Sequence, residues 1–466
     1  MAPIIDEGHI FDFWPIRIKS DMPSLFRNSI KTSVFRSQPI ICISSPLARD
    51  HFGCTIECYL SHIVGQGLIN CNATLQYVLS QTEIIFRIKF ALYLPIGVIT
   101  KYQKNMYISE QLLNPDERRL RLSAQYGVRN VVLDNRGTEL VSSVGGVTVW
   151  DAARLRDYRK WIESFDMKLD VFALDVGSIL LDSLVDIEGA KKQREVLAQN
   201  IQKAADAGIT CLKYNVQMVG ITRTGLKPGR GGAQNSGFVY AEYSAKEDQK
   251  NSYWGVGYPS NQEEGGAVSA ALCGQKLARD VPPVSEKAGW DAIEFLVEGL
   301  VPAAEKAGVR LACHPHDPAY PVGGLNGIEH VVGSADGLRK FLALSSSQYH
   351  GLNFCQGTVA EMFREPGKHM IQTIEEFAAT GRIFMVHFRN IRGGYLDFQE
   401  VFPDEGDVDM FEAVRAYQRG GYAGPLCPDH VPVSELDDGR ERFMAFALGY
   451  TRGLLQAAGV WKVPES

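Results

Sequence analysis

From about residue 86 the chain alternates short apolar runs with amphipathic segments, and nothing else in it restricts the fold as strongly. The runs are IKFALYLP (88–95), VRNVVLD (128–134), KLDVFALD (168–175), ITCLKYN (209–215), VRLACHP (309–315), GLNFC (351–355), RIFMVHF (382–388) and GPLCPDH (424–430). Between them lie segments of helical period, among them DERRLRLSAQYG (116–127), GAKKQREVLAQNIQKAADAG (189–208), AGWDAIEFLVEGLVPAAEKAG (288–308) and DVDMFEAVRAYQRGG (407–421). Several of these end in glycine, as helix C-termini do. Near-continuous apolar strands joined by helices imply an α/β protein whose parallel sheet is covered on both faces. Eight such units fit a closed (β/α)8 TIM barrel better than an open sheet.

Two stretches fall outside this repeat. Residues 1–85 lack the alternation and form an N-terminal extension of unassigned role, which leaves 86–466 as the barrel domain. Within that domain a glycine-rich insertion, 216–287, follows the fourth strand and includes GLKPGRGGAQNSG (225–237) and YWGVGYPSNQEEGG (253–266). A long βα loop on a barrel sits at the active-site mouth, so the insertion reads either as a lid or as a surface excursion.

Composition narrows the functional classes. With 45% hydrophobic and 22% charged residues the chain is an ordinary globular protein. A net charge of −6 without a basic stripe gives no footprint for nucleic acid. Nine cysteines, an odd number with no CxxC pair, suit reduced thiols in the cytoplasm. The N-terminus MAPIIDEGHIFDFWP lacks the basic-then-apolar order of a secretory signal. The most apolar stretch, IIFRIKFALYLPIGVI (84–99), is interrupted by Arg87, Lys89 and Pro95, so no membrane span is expected. The expected partner is a small molecule, and self-association into a homo-oligomer stays open.

The barrel makes a geometric claim, because residues at the C-terminal strand ends converge on one face. Strands five to eight end in His314, Cys355, His387 and Asp429. Two imidazoles, a thiol and a carboxylate suit a borderline transition metal such as Fe2+, Mn2+, Zn2+ or Co2+ better than Mg2+, which prefers oxygen ligands. Taken singly, each has a blander reading: a hydrogen-bonded histidine, a buried small thiol, a capping aspartate. Their occurrence at four successive strand ends is what singles them out. His430, next to Asp429, is a candidate acid/base group. Arg389 and Asn390 follow His387, while Asn215 closes strand four with Arg223 just beyond it; these are candidates for holding an anionic substrate, or for a structural salt bridge at the rim. His316 and Asp317 are either partners that orient His314 or plain loop residues.

CHPHDPAYP, GLNFCQG, VHFRN, EGDVDM and GYAGPLCPDH, in this order, together with KYNVQMVGITRTGL (213–226), resemble the mannonate dehydratase family across roughly residues 88–460. The resemblance implies a metal-dependent barrel related to the xylose-isomerase-like group, loaded with Mn2+ or Fe2+, that removes water from D-mannonate to give 2-keto-3-deoxy-D-gluconate in hexuronate catabolism. It implies metal ligands at His314, Cys355, His387 and Asp429, and a catalytic role for His430. It also implies a catalytic tyrosine in the loop after His430, where this chain reads VPVSELDDGRERFMAFALGY (431–450), and an aspartate where His316 stands. Other outcomes on the same barrel are a metal-dependent sugar or sugar-acid isomerase or epimerase, and a binding protein without turnover.

Overall fold

The structure is a computed structural model, which describes the backbone of 53–64, 67–79 and 84–91, and then residues 105–461 apart from 135–140, 145–146, 177–178, 219, 244–282 and 326. Contacts divide the chain into Met1–Gln103 and Lys104–Ser466. In the first unit, β1 (Gly53–Val64), β2 (Gly67–Leu79) and β3 (Ile84–Ala91) form an antiparallel sheet in the order β1-β2-β3.

The second unit carries the barrel. It opens with β4 (Tyr107–Ile108) and β5 (Glu110–Leu112), continues through β6 (Asn130–Leu133), the hairpin β7 (Val141–Val144) and β8 (Val147–Trp150), β9 (Lys168–Ala173) and β10 (Cys211–Asn215), and then the hairpin β11 (Gly225–Pro228) and β12 (Gln234–Val239). After these come β13 (Arg310–His314), β14 (His350–Cys355), β15 (Ile383–His387), the hairpin β16 (Ile391–Gly394) and β17 (Asp397–Glu400), and β18 (Pro425–Cys427). The main sheet runs β4-β18-β15-β14-β13-β10-β9-β6-β5, with parallel pairing throughout. Its two ends, β4 and β5, are pieces of one segment either side of Ser109. The sheet therefore closes on itself as an eight-stranded barrel, sealed where the Ser109 amide donates to the Leu426 carbonyl at 3.0 Å.

The first strand differs from expectation. It lies at 107–112, whereas 88–91, the first half of the run 88–95 taken for it, belongs to β3 in the antiparallel sheet of the first unit. The reason is polarity: Tyr107 bonds Asp170, Ser109 bonds the Asn130 carbonyl, and Gln111 accepts from Lys213. A strand carrying such groups has no apolar signature.

Helices cover the barrel. Asp116, Asp151, Asp186, Ser285, Ser334 and Asp409 cap their N-termini by accepting a backbone N–H. A large apolar cluster fills the space between sheet and helices. A smaller one, Val132, Val171, Cys211, Ala312, Phe384, Met385 and Cys427, is drawn from six of the barrel strands.

The insertion after β10 is only partly a loop. Its described part folds as β11–β12, which pairs through β12 with β17 to make a four-stranded antiparallel sheet, β11-β12-β17-β16. Val433, in the loop after β18, bonds Gln234 in both directions. Residues 244–282 of the insertion, including YWGVGYPSNQEEGG, lie outside the described residues.

Candidate metal centre

β13, β14 and β15 lie side by side, with Cys355 and His387 in register. That register brings His314, Cys355 and His387 together, with one ligand atom of each within 4.8 Å of the others. Asp429, just beyond β18, adds a carboxylate oxygen 3.3 Å from His387 Nδ1. Three of the four residues singled out at the strand ends thus form one group, and Asp429 stands beside one of them, His387.

The chemistry of these groups fits a cation. His314 Nδ1 faces the Pro315 carbonyl at 2.7 Å, which leaves Nε2 for a ligand. His387 Nε2 lies between Gln111 Oε1 at 3.0 Å and Asn353 Nδ2 at 3.2 Å, while Nδ1 faces Asp429. Neither Nδ1 of His387 nor Oδ1 of Asp429, both buried, has a hydrogen-bond partner. Burial lowers the His314 imidazole to about 4 and holds His387 well below its ordinary range, so both rings are neutral ligands near pH 7. Burial also pushes the Cys355 thiol up to about 12, so formation of the thiolate is coupled to cation binding and proton release.

A buried ionic shell backs this centre. Arg389 reaches Asp317 at 2.9 Å, Glu361 at 3.0 Å, Glu400 at 3.1 Å and Asp429 at 3.5 Å. Arg223 pairs with Asp317 at 2.7 Å and Glu400 at 2.6 Å. Burial opposes ionisation of Asp317, but the two guanidiniums hold its carboxyl well below the usual range. Burial, with Asp317 beside it, pushes the Glu361 carboxyl well above that range. Four carboxyl groups, Asp317, Glu361, Glu400 and Asp429, thus crowd around two arginines. A Cβ at Gly357 would come 2.6 Å from Arg389 Cγ, so the glycine of GLNFCQG makes room for this side chain.

The remaining sequence candidates fall in different places. His430 Nδ1 is 2.7 Å from Glu400 Oε1 and its Nε2 is 3.7 Å from Asp429 Oδ2; its side chain is 22% exposed, more open than those of His387 and Asp429. Arg389 and Arg223, considered for an anionic substrate, face the protein's own carboxylates. Asn390 is a correction. Its amide donates to the Pro403 and Val408 carbonyls and accepts from the Ile391 and Val408 amides, which uses its full capacity. It fastens the EGDVDM loop, and a Cβ at Gly406 would fall 2.2 Å from Asn390 Cγ. Asn215 accepts from the Gln217 amide at the end of β10. His316 bonds the Val216 carbonyl and does not orient His314, whereas Asp317 joins the ionic shell. Tyr450 sits in the helix Glu441–Ala457, stacked on Phe446. Sequence reasoning missed Gln111, Lys213, Glu361 and Glu400. For Glu400 a signal existed: in DFQE it shares the buried phase of the alternation with Phe398.

A closed (β/α)8 barrel with imidazole, thiol and carboxylate groups converging at the C-terminal ends of its strands is an enzyme barrel carrying a candidate transition-metal centre. The chain belongs to the D-mannonate dehydratase (UxuA) family, whose sequence profile matches residues 116–465. It is 28% identical over 324 residues to a mannonate dehydratase of Streptococcus uberis, covering 66% of this chain and 87% of that protein. To mannonate dehydratase 2 of Halalkalibacterium halodurans it is 31% identical over 188 residues, covering 39% of this chain and 52% of the relative. The crystal structure of mannonate dehydratase from Streptococcus suis serotype 2 matches 78% of this chain and 96% of its own with a TM-score of 0.61; at 22% identity that likeness speaks for the fold.

Proposed function

We propose that the chain dehydrates D-mannonate to 2-keto-3-deoxy-D-gluconate, as a hydro-lyase of hexuronate and glucuronate catabolism in the cytoplasm. The observation that carries this reading is the group His314, Cys355 and His387 at the barrel mouth, with Asp429 beside His387, in a chain of this family. These four would hold the metal, Mn2+ or Fe2+. When bound, it stabilises the enolate-like charge that develops as the proton α to the carboxylate is removed.

The chain's own residues do the rest. Elimination takes the C2 proton and expels the neighbouring hydroxyl with a proton, so it needs a group that moves protons near neutral pH. His430 is that group, with Nε2 on the side of Asp429 and partial access to solvent. Arg389 acts through its contact with Asp429, fixing that carboxylate against His387. Arg223 holds Asp317 and Glu400 from the side of the β11–β12 hairpin. The enolic product then tautomerises to the 2-keto acid.

The test is anaerobic incubation of the protein with D-mannonate and Mn2+ or Fe2+. A 2-keto-3-deoxy acid that disappears on chelation is expected. A product of unchanged mass would instead identify an isomerase or epimerase, and bound metal without turnover a binding protein. In the same assay His430→Asn should retain metal and lose roughly 10²–10⁴-fold in kcat.

A further inference from the structure

We propose that Glu400 is the positioning residue of His430: its Oε1 accepts a hydrogen bond from Nδ1–H and so fixes the ring with Nε2 on the side of Asp429. The inference rests on the reading of His430 as the acid/base group, but its geometry stands apart from the substrate. Glu400 Oε1 lies 2.7 Å from His430 Nδ1, and the opposite ring nitrogen lies 3.7 Å from Asp429 Oδ2. A carboxylate accepts and does not donate, so the ring nitrogen facing it carries a hydrogen. In the neutral ring the other nitrogen is then bare.

Glu400 is held too firmly to follow the ring. The same Oε1 meets Arg223 at 2.6 Å and Arg389 at 3.1 Å, two guanidiniums from different elements. Its backbone is set by register, with Glu400 opposite Ile391 in β16 and Phe398 opposite Phe238 in β12. Phe398 and Glu400 point to the same face, where Arg223 also stacks over the Phe398 ring at 5.0 Å. A slip of one residue would turn Glu400 away from His430. The small four-stranded sheet therefore delivers one oxygen to one imidazole nitrogen. A side chain from outside the barrel thereby sets which nitrogen of a barrel-mouth histidine is basic.

The test reads the tautomer directly. Full-length protein labelled with 15N-histidine is examined with Zn2+ and without it, and His430 is assigned by comparison with His430→Asn. The neutral ring is expected to carry its hydrogen on Nδ1. Glu400→Gln keeps an oxygen acceptor and should keep that tautomer. Glu400→Leu should move the hydrogen to Nε2, and in the Mn2+ enzyme its kcat on D-mannonate should fall roughly 10²–10⁴-fold with KM changed only a few-fold. The Nε2–H tautomer in the wild type, or a Glu400→Leu variant with unchanged tautomer, overturns the proposal. A purely structural role would lower thermal stability and leave the tautomer alone. If Glu400→Leu does not fold, the wild-type and Glu400→Gln spectra decide. Should the protein not dehydrate D-mannonate at all, the reading of function fails while the spectra still judge Glu400.

Discussion

Asp317 concentrates much of the buried charge of the site in one side chain. Arg223 grips both of its oxygens, at 2.7 and 3.2 Å, while Arg389 and the Thr358 hydroxyl each reach Oδ2 at 2.9 Å. Removing one member of a buried ionic cluster costs more than the cluster contributes as a whole, because the partners stay buried without compensation. Asp317→Asn keeps the shape and removes the charge. It should destabilise the protein by about 3–5 kcal/mol in urea unfolding. A loss under about 1 kcal/mol would mean that water or rearrangement compensates the two arginines. The contrast between Asp317 and His314 also shows what single residues reveal in a sequence. His314, Cys355 and His387 each close a strand, and a strand end dictates where its last side chain goes. Asp317 lies past the strand, where loop geometry decides direction, and its partners are 94 and 72 residues away.

At the scale of elements, seven barrel strands and the helices between them were legible because burial on both faces leaves continuous apolar runs. The first strand was not, since its polar groups serve partners elsewhere in the barrel. The β11–β12 hairpin was hidden for another reason. Its glycine-rich sequence suggests a loop, and it becomes sheet only by pairing with β17, some 160 residues later. Phe398 holds this pairing through contact with Phe238, at 5.9 Å between ring centroids, and through the Arg223 stack. Phe398→Ala should cost about 3–5 kcal/mol. Because the metal candidates come from barrel strands and the segment just past β18, metal binding measured by equilibrium dialysis should survive while turnover falls, Glu400 and Arg223 having lost their support. Metal lost along with turnover would show that the small sheet also shapes the centre itself.

At the scale of the whole molecule, buried histidines dictate the response to acid. Burial lowers His314, His330 and His350 to about 4 and holds His316 and His387 well below their ordinary value. The unfolded chain takes up these protons near pH 6.5, whereas the folded chain resists until about 4 or lower. The stability tied to the three histidines is therefore complete above about 6.5 and is lost as pH falls toward 4. Each histidine contributes a slope of up to about 1.4 kcal/mol per pH unit. Asp317 and Glu400 enter only at the acid end of this window: burial opposes their ionisation, but nearby cationic groups, Arg223 first among them, hold both well below the carboxylate range, so their contribution is lost as pH falls through that range and below it. Glu361 and Glu110, both raised by burial, act in the opposite sense, two groups against five. Urea unfolding of chelator-treated protein should accordingly show stability falling steeply between pH 6.5 and 4.5. His350 offers the cleanest check, since it stacks on Phe341 with its Nε2 on the Phe341 carbonyl, away from the ionic shell. In His350→Leu the acid limb should flatten by about 1.4 kcal/mol per pH unit, whatever the change in stability at pH 7. An unchanged slope would mean that His350 gains its proton in the folded state, and the acid sensitivity would then belong to the histidines of the barrel mouth.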